Sequence, residues 1–579
     1  MNNVDEWTEV ALETDVQVGE LLTKKIGESQ LVLGRSAETG LFALDNRCPH
    51  EGYPLASGDL KNCELTCVWH NWKFKVTDGS CVVGGEGVRS YPVRVVGGAV
   101  EVDLSEPDPA SVHDKLRGSI EEGLFRYDNG RVFRDVARLL QAGYPAAKIA
   151  ADVAAYDGRH AEYGTTHTLA LAADAMRLLE RYKGTAALYA LGPVLDLCGE
   201  SNQRMPARSY PEPVDCARDL MGGELRSAIE AEDVARADGI LLSAFDAGVP
   251  RAEIESWIYA ALSDHFLSFG HPLIYLVKAQ ELFESAGDER AYEILSGHLF
   301  GLMYSTREDT LPYMASYAKR LKALENDLGD LWKTADGSSE VDVEFVRNAV
   351  LDGTSSEAFD SVLDALKTGV APSELARVLV GAAAHRLLRF NVALDSDPGV
   401  TENWLWATHR FTFASAVRNA MERFSDPLAL RFLFQSVMFT HSGRAMDLDE
   451  SLRVSQKSEP ASVTEIVASI AARKADLAVA QTEAYLQSKS DLSTLKAALD
   501  ELCLADGLVR PIVVAHGIKT TLAAWEEYDA LEGLSDQAIP LLAAVRFLAS
   551  PVVERRVREL AGRSLDWVVE GVMPKKLTQ

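Results

Sequence analysis

One sentence recurs in the larger part of this 579-residue chain: a Gly, a Pro two or three residues later, an apolar residue six after the Gly, and then a His. It reads AGYPAAKIAADVAAYDGRH, AGVPRAEIESWIYAALSDH and TGVAPSELARVLVGAAAH, with Gly-to-His distances of 17 (Gly143 to His160), 17 (Gly248 to His265) and 16 (Gly369 to His385). Each predicts a helix opened by Pro145, Pro250 or Pro372, because a proline in the first turn forfeits only an N–H that lacks a partner there. A second set of helices is headed by His167, His271, His409 and His516, each with an acid 13 residues on: Glu180, Glu284, Glu422 and Asp529. The spacings of 104 (His167 to His271) and 107 (His409 to His516) arrange these units as two halves joined near the polar stretch Thr334 to Val341. Apolar residues three and four apart, with almost no period-two alternation, make this part all-α. A pseudo-twofold helical body is expected rather than an open solenoid, which would show more copies at a shorter period.

The grammar before residue 104 is different. Short segments rich in Val, Leu and aromatics, such as Gln30 to Leu33 and Ser90 to Val96, are separated by Gly and Asn-Arg punctuation, which predicts a small all-β domain. The expected organisation is a β domain over 1–103, a linker over 104–118 carrying two Pro, and helical halves over 119–333 and 342–579. A net charge of -28, with 58 Lys plus Arg against 86 Asp plus Glu, argues against nucleic acid and anionic membrane surfaces as partners. No apolar run reaches the roughly 18–20 residues of a membrane span, and the acidic N-terminus has no signal-like apolar region. A cytoplasmic protein, with homo-oligomerisation an open option, is the expectation.

Seven Cys are too few for a disulfide scaffold, yet Cys48, Cys63, Cys67 and Cys81 fall within 34 residues. Cys48-Pro-His50 and Cys67-Val-Trp-His70 supply one Cys and one His from each of two turns. A structural zinc site usually takes both Cys from one knuckle and both His from a helix. A Rieske [2Fe–2S] centre takes thiolates on one iron and imidazoles on the other, which suits this pattern better. CPHEGYPLASGDL and CVWHNWKF resemble the two cluster-binding loops of the Rieske family, in its ferredoxin and oxygenase branch, over roughly residues 6–103. That resemblance implies a [2Fe–2S] cluster on Cys48, His50, Cys67 and His70. Val68 and Asn71 depart from the family's usual Pro and Gly. Cys63 and Cys81 read as small buried hydrophobes, and Trp69, Trp72 and Phe74 as shields of the cluster.

A Rieske centre moves single electrons and has no substrate chemistry of its own, so the reacting site is sought in the helical body. Asp157-Gly-Arg-His160 followed by His167 nearly meets the mononuclear-iron motif of Rieske oxygenases. The all-α surroundings make it a repeat-derived match instead. FGHPLIYLVKAQE (Phe269 to Glu281), the AGVPRAEI helix and the paired His resemble the questin oxidase-like family, which implies oxygenative chemistry on polycyclic aromatic polyketides. Within that family's pattern, Tyr275 and Val277 stand where a His and a Gly are usual. A twofold arrangement would turn the repeat His toward one cavity, where neutral imidazoles bind a transition metal or act as bases.

The resulting expectation is an O2-dependent Rieske oxidoreductase acting on a small organic substrate in a His-lined pocket. Its catalytic candidates are His167, His271, His409 and His516, with a second metal, non-haem iron first and haem as the lesser option, among these and His160, His265 and His385. The runner-up is an electron-transfer or redox-sensing protein whose helical domain binds a ligand, haem or partner. The sequence has no Gly-x-Gly-x-x-Gly or Walker loop, so a separate reductase or ferredoxin is the expected donor. A basic rim of Arg47, Lys61, Lys73 and Lys75 is expected to receive it.

Overall fold

The run Leu31-Val32-Leu33 does not alternate, and the fold shows why: all three side chains are fully buried, Leu31 and Leu33 in one core and Val32 in another. They lie on β3, a strand with a hydrophobic layer against each face. The computed structural model describes residues 7–397, 400–449, 460–488, 491–505, 510–552 and 557–572, so the extreme ends of the expected domain ranges lie outside it. The chain forms two compact units, Met1–Tyr144 and Pro145–Gln579.

The first unit holds three antiparallel sheets. β1 (Trp7–Leu12), β11 (Ala99–Asp103) and β10 (Val93–Val96) pair in that order; β2 (Leu21–Ile26), β3 (Ser29–Ser36), β4 (Gly40–Asp45) and β9 (Ser90–Tyr91) form the second. The third is β5 (Asp59–Lys61), β6 (Glu64–Thr66), β7 (Lys73–Lys75) and β8 (Cys81–Val83). The Cys48 loop joins β4 to β5 and the Cys67 loop joins β6 to β7. Two helices complete the unit, α1 (Pro109–Arg126), capped by Asp108, and α2 (Asn129–Gln141), capped by Asp128. Residues 109–118, expected within a linker, are thus helical, and the first unit extends to Tyr144. Asp108-Pro109 reads as a loop by composition, but an Asp N-cap followed by Pro at the first position is also a helix start.

The regular elements of the second unit are helices, with no strand among the described residues. Its centre is a ring of four helices, His167–Leu178, His271–Ala286, Trp404–Arg423 and Pro511–Ala530, each packed on the next and the last on the first. His167 and His271 open their helices as expected, whereas His409 and His516 sit five residues inside theirs. Asn403, which caps the third, and Pro511, at the first turn of the fourth, set those earlier starts. The proline-led helices, Ala146–His160, Arg251–Leu262 and Pro372–Leu388, flank this ring.

The entry to the His271 helix is tight. Ser268, Phe269 and Gly270 have φ of 38°, 57° and 82°, left-handed in succession. Gly270 is obligatory: a Cβ there would lie 2.1 Å from the Phe413 ring. Gly270→Ala is therefore expected to cost roughly 2–4 kcal/mol, combining a left-handed alanine with overpacking. Gly248→Ala, at φ 66° with open space around it, is expected to cost only about 1–2 kcal/mol. Urea unfolding of the two variants checks the order.

Candidate functional sites: a cysteine–histidine tip and a histidine quartet

Each loop of the β unit sets its cysteine inward and its histidine outward. Cys48 and Cys67 are 2% and 0% exposed, while His50 is half-buried and His70 exposed. Backbone bonds fix both loops: Cys48 N donates to Tyr53 O (2.9 Å), Gly52 N to Cys48 O (2.7 Å) and Cys67 N to Trp72 O (2.8 Å). His70 and Asn71 have φ of 68° and 57°. Asn71 explains the departure from Gly, since Asn tolerates the left-handed region. The imidazoles meet edge to face with centroids 4.6 Å apart, and Trp72 stacks on His50 at 4.7 Å.

The residues present fit a two-iron cluster. His50 Nδ1 is buried with no hydrogen-bond partner among the described residues. Burial, with Cys67 close by, pushes the Cys48 thiol up to about 11, so its thiolate is favoured only with a cation bound beside it. Two sulfurs inside and two imidazoles at the surface are the donor set of a Rieske centre. Cys63 and Cys81 are half-buried and free; Cys63 donates to Glu38 Oε2 (3.1 Å).

The family model of the Rieske [2Fe-2S] domain matches residues 6–92. The β unit is a Rieske domain. It is 29% identical over 101 residues to the ferredoxin component of the naphthalene 1,2-dioxygenase system of Pseudomonas putida, covering 17% of this chain and 96% of that one. It is 34% identical over 88 residues to the oxygenase subunit of 3-chlorobenzoate-3,4-dioxygenase from Comamonas testosteroni, covering 13% of this chain and 20% of that one. Among solved structures, dicamba monooxygenase bound to dicamba shares 28% identity with a TM-score of 0.17, over 18% of this chain and 35% of that one. The family match and the sequence relatives support an oxidoreductase with a [2Fe–2S] cluster and an electron-transfer partner. No helix among the described residues is long and apolar enough to cross a membrane.

Two of the four cations of the expected basic rim are paired with acids. Arg47 pairs with Asp45 (2.8 Å), Lys61 with Asp59 (3.1 Å), and Lys73 donates to Thr66 Oγ1 (3.2 Å). Trp69, Val68 and Tyr53 are exposed large apolar side chains close to the histidines. Local acids at short range pair with Arg47 and Lys61, which a count of Lys and Arg does not reveal.

In the helical unit, His167, His271, His409 and His516 meet at the top of the four-helix ring. His271 Nε2 lies 3.2 Å from His167 Nε2 and His516 Nε2 3.3 Å from His409 Nε2. Across the pairs, the His271–His409 centroids are 4.2 Å apart and those of His167–His516 4.7 Å. The outer nitrogens are committed: Nδ1 of His271, His409 and His516 each faces a backbone carbonyl, of Ser268, Leu405 and Ile512. A carbonyl only accepts, so these Nδ1 atoms carry the protons, and a neutral ring then presents a bare lone pair at Nε2. His409 and His516 therefore aim two lone pairs at each other. Burial and the nearby Lys519 hold His409, His516 and His167 well below the usual histidine pKa, and His271 at about 3, so protonation does not relieve the conflict. Lys519 Nζ, lowered by burial to about 7, lies 3.5 Å from His409 Nε2. A tetrahedral ion with bonds of about 2.0–2.1 Å to nitrogen has N···N edges of about 3.3–3.4 Å, close to the 3.2 and 3.3 Å of the two pairs; ligand nitrogens of His167, His271 and His409 all lie within 4.8 Å of one another, and His516 adjoins that group through His409.

Neighbours position these rings. Tyr275 OH lies 3.2 Å from His167 Nδ1. The strained Ser268–Gly270 turn is held by Glu308, which accepts from Phe269 N and from Tyr313 OH. Phe269 packs on Trp406 at 4.3 Å beside His409. Below the quartet lies a charged layer that the sequence reading missed: Lys278 pairs with Asp174 (2.8 Å), Arg177 with Glu526 (2.7 Å) and Arg418 with Glu527 (2.7 Å). Its signal was available, since Asp174, Lys278 and Glu526 fall seven or ten residues after a quartet His, on the same helix face.

The other repeat histidines are not brought to the quartet. His160 stacks on Tyr156 at 3.8 Å, His265 sits between Asp309 (2.9 Å) and Glu230 (3.1 Å), and His385 lies 3.2 Å from Asp536. They end or follow the outer helices, and local partners hold them there. Glu284 and Glu422 pair with Arg423 (2.6 Å) and Arg418 (3.1 Å) rather than with any His.

His298, 1% exposed, has an Nε2 without a partner among the described residues, and burial lowers its pKa to about 4. Unfolded, it binds a proton below about 6.5, which the fold refuses until about 4. The stability it contributes is thus fully present above pH 6.5 and is lost as pH falls through 4. His298→Leu is expected to recover roughly 2–3 kcal/mol of that acid loss, read from urea midpoints at pH 7 and pH 4.5.

Proposed function

We propose that this chain is a Rieske-dependent oxygenase or oxidase: the helical unit holds one redox-active transition metal ion on His167, His271, His409 and His516 and oxidises an organic substrate with O2 there. Electrons are drawn from a separate reductase or ferredoxin through the [2Fe–2S] domain. The observation that carries this reading is the pairing of His409 and His516, whose Nε2 atoms face one another at 3.3 Å with both Nδ1 protons committed to carbonyls. A cation that both rings ligate would satisfy that pair, and Lys519 Nζ, 3.5 Å from His409 Nε2, approaches one side of it.

The remaining features narrow the choice. Four neutral imidazoles suit iron, copper, nickel or zinc, but a redox-silent zinc ion would make no use of an electron-transfer domain on the same chain. Iron is the ion proposed. Nε2 atoms 3.2 and 3.3 Å apart leave no gap for a porphyrin plane between them, which disfavours haem. Bound there, the ion supplies one-electron chemistry toward O2. The chain's own groups then orient and exclude. Tyr275 steadies the His167 ring, the Ser268–Gly270 turn sets the direction of His271, and Phe269 with Trp406 offers an aromatic wall to a flat, apolar substrate. His167 and His271 are half-buried whereas His409 and His516 are closed off, so access is from the side of the first pair. The resemblance to the questin oxidase-like family puts polycyclic aromatics or polyketides first as substrate class.

Metal analysis tests the reading. The purified chain is expected to carry about three metal ions, two in the cluster and one in the quartet. His409→Ala and His516→Ala should each lose the third ion and substrate-dependent O2 uptake while the Rieske electron paramagnetic resonance signal persists. His385→Ala should keep all three. A parent chain that turns over with only about two irons would overturn the assignment.

A further inference from the structure

The Rieske family match ends at residue 92, yet the cluster loop is touched by a residue 89 positions further along the chain. Arg138, on α2, donates from Nη2 to the carbonyl of Pro49 (3.2 Å), the residue between Cys48 and His50. Its other nitrogen, Nη1, bonds Glu86 Oε1 (3.0 Å) and Asp135 Oδ1 (2.6 Å). Glu86 is 4% exposed and also takes a bidentate pair from Arg134 (2.8 and 2.7 Å). Arg131 ties the hairpin together through Ser119 and Glu122, and Ser119 donates to Asp135 (2.6 Å).

Glu86 stands in the run Gly84-Gly85-Glu86-Gly87. A Cβ at Gly84 would lie 2.4 Å from the Trp72 indole, so backbone is pressed against that ring. Trp72 in turn stacks on His50. The hairpin therefore meets the cluster site twice: through Arg138 at the Cys48 loop, and through the Glu86 loop at the shield over His50. The ion pairs are partly withdrawn from solvent, so their charges are weakly screened.

We propose that α1 and α2 are a working part of the redox site, and that Arg138 and Glu86 are positioning residues which set the cluster's potential with opposite sign. The cluster gains one negative charge on reduction. A guanidinium on the Pro49 carbonyl favours that charge, and the buried Glu86 carboxylate opposes it.

The test is a spectroscopically monitored redox titration of the full chain with its cluster loaded. Arg138→Gln is expected to lower the midpoint potential and Glu86→Gln to raise it. Arg138→Lys, which keeps the charge and serves as the folded reference, should stay near the parent value. A purely structural role would move Arg138→Gln and Glu86→Gln in the same direction, and that result overturns the proposal. So does an unchanged potential in Arg138→Gln, or a fall in Arg138→Lys as large as in Arg138→Gln.

Discussion

The Nε2 atoms of His409 and His516 lie 3.3 Å apart while both Nδ1 atoms face backbone carbonyls, so two lone pairs are turned toward each other. Much of the helical unit serves that unfavourable meeting. Backbone carbonyls fix the tautomers, burial keeps the rings neutral, and a charged layer beneath locks the four helices in register. Buried ion pairs such as Lys278–Asp174 are weak sources of stability, because desolvation offsets much of their attraction, but a broken one is costly. They therefore penalise any slippage that would spread the imidazoles apart.

The β unit meets the same problem with different means. Its two thiols are buried against each other and its two imidazoles face outward, so a bound cluster has one apolar side and one solvent-facing side. The apolar side is continuous with the core formed by Val32, Leu44, Leu65 and Phe74. The strands leave and re-enter this core at the two loops, and Asn46, whose side chain accepts from Ala56 N (2.8 Å), braces the first of them. The α1–α2 hairpin then makes the domain larger than its family core.

The sequence disclosed the cysteine–histidine tip because its pattern is local: each loop of a few residues carries one Cys and one His at fixed spacing. The quartet was legible for a different reason. Repetition marked His167, His271, His409 and His516 as equivalent, and equivalence around an axis brings residues together over 349 positions of chain. The same reasoning grouped His160, His265 and His385 with them, although equivalence alone does not say which repeat position faces the axis. Partners such as Asp309 and Asp536, remote in sequence, decide that. Residues 109–118 misled because Asp and Pro serve loops and helix starts alike, and only the apolar packing of Ile120 and Leu124 distinguishes the two.

Each half of the helical unit lends two histidines, so the quartet has the logic of a homodimer whose chains have been fused. A true homodimer must place every residue twice. Fusion removes that obligation, and this chain has used the freedom: the place of Lys519, three residues after His516, is held in the first half by Ile274, and that of Thr520 by Tyr275. One side of the quartet has thereby acquired an amine and the other a phenol. An asymmetric reaction, with a substrate on one face and a proton source on the other, can be written onto an arrangement that began symmetric.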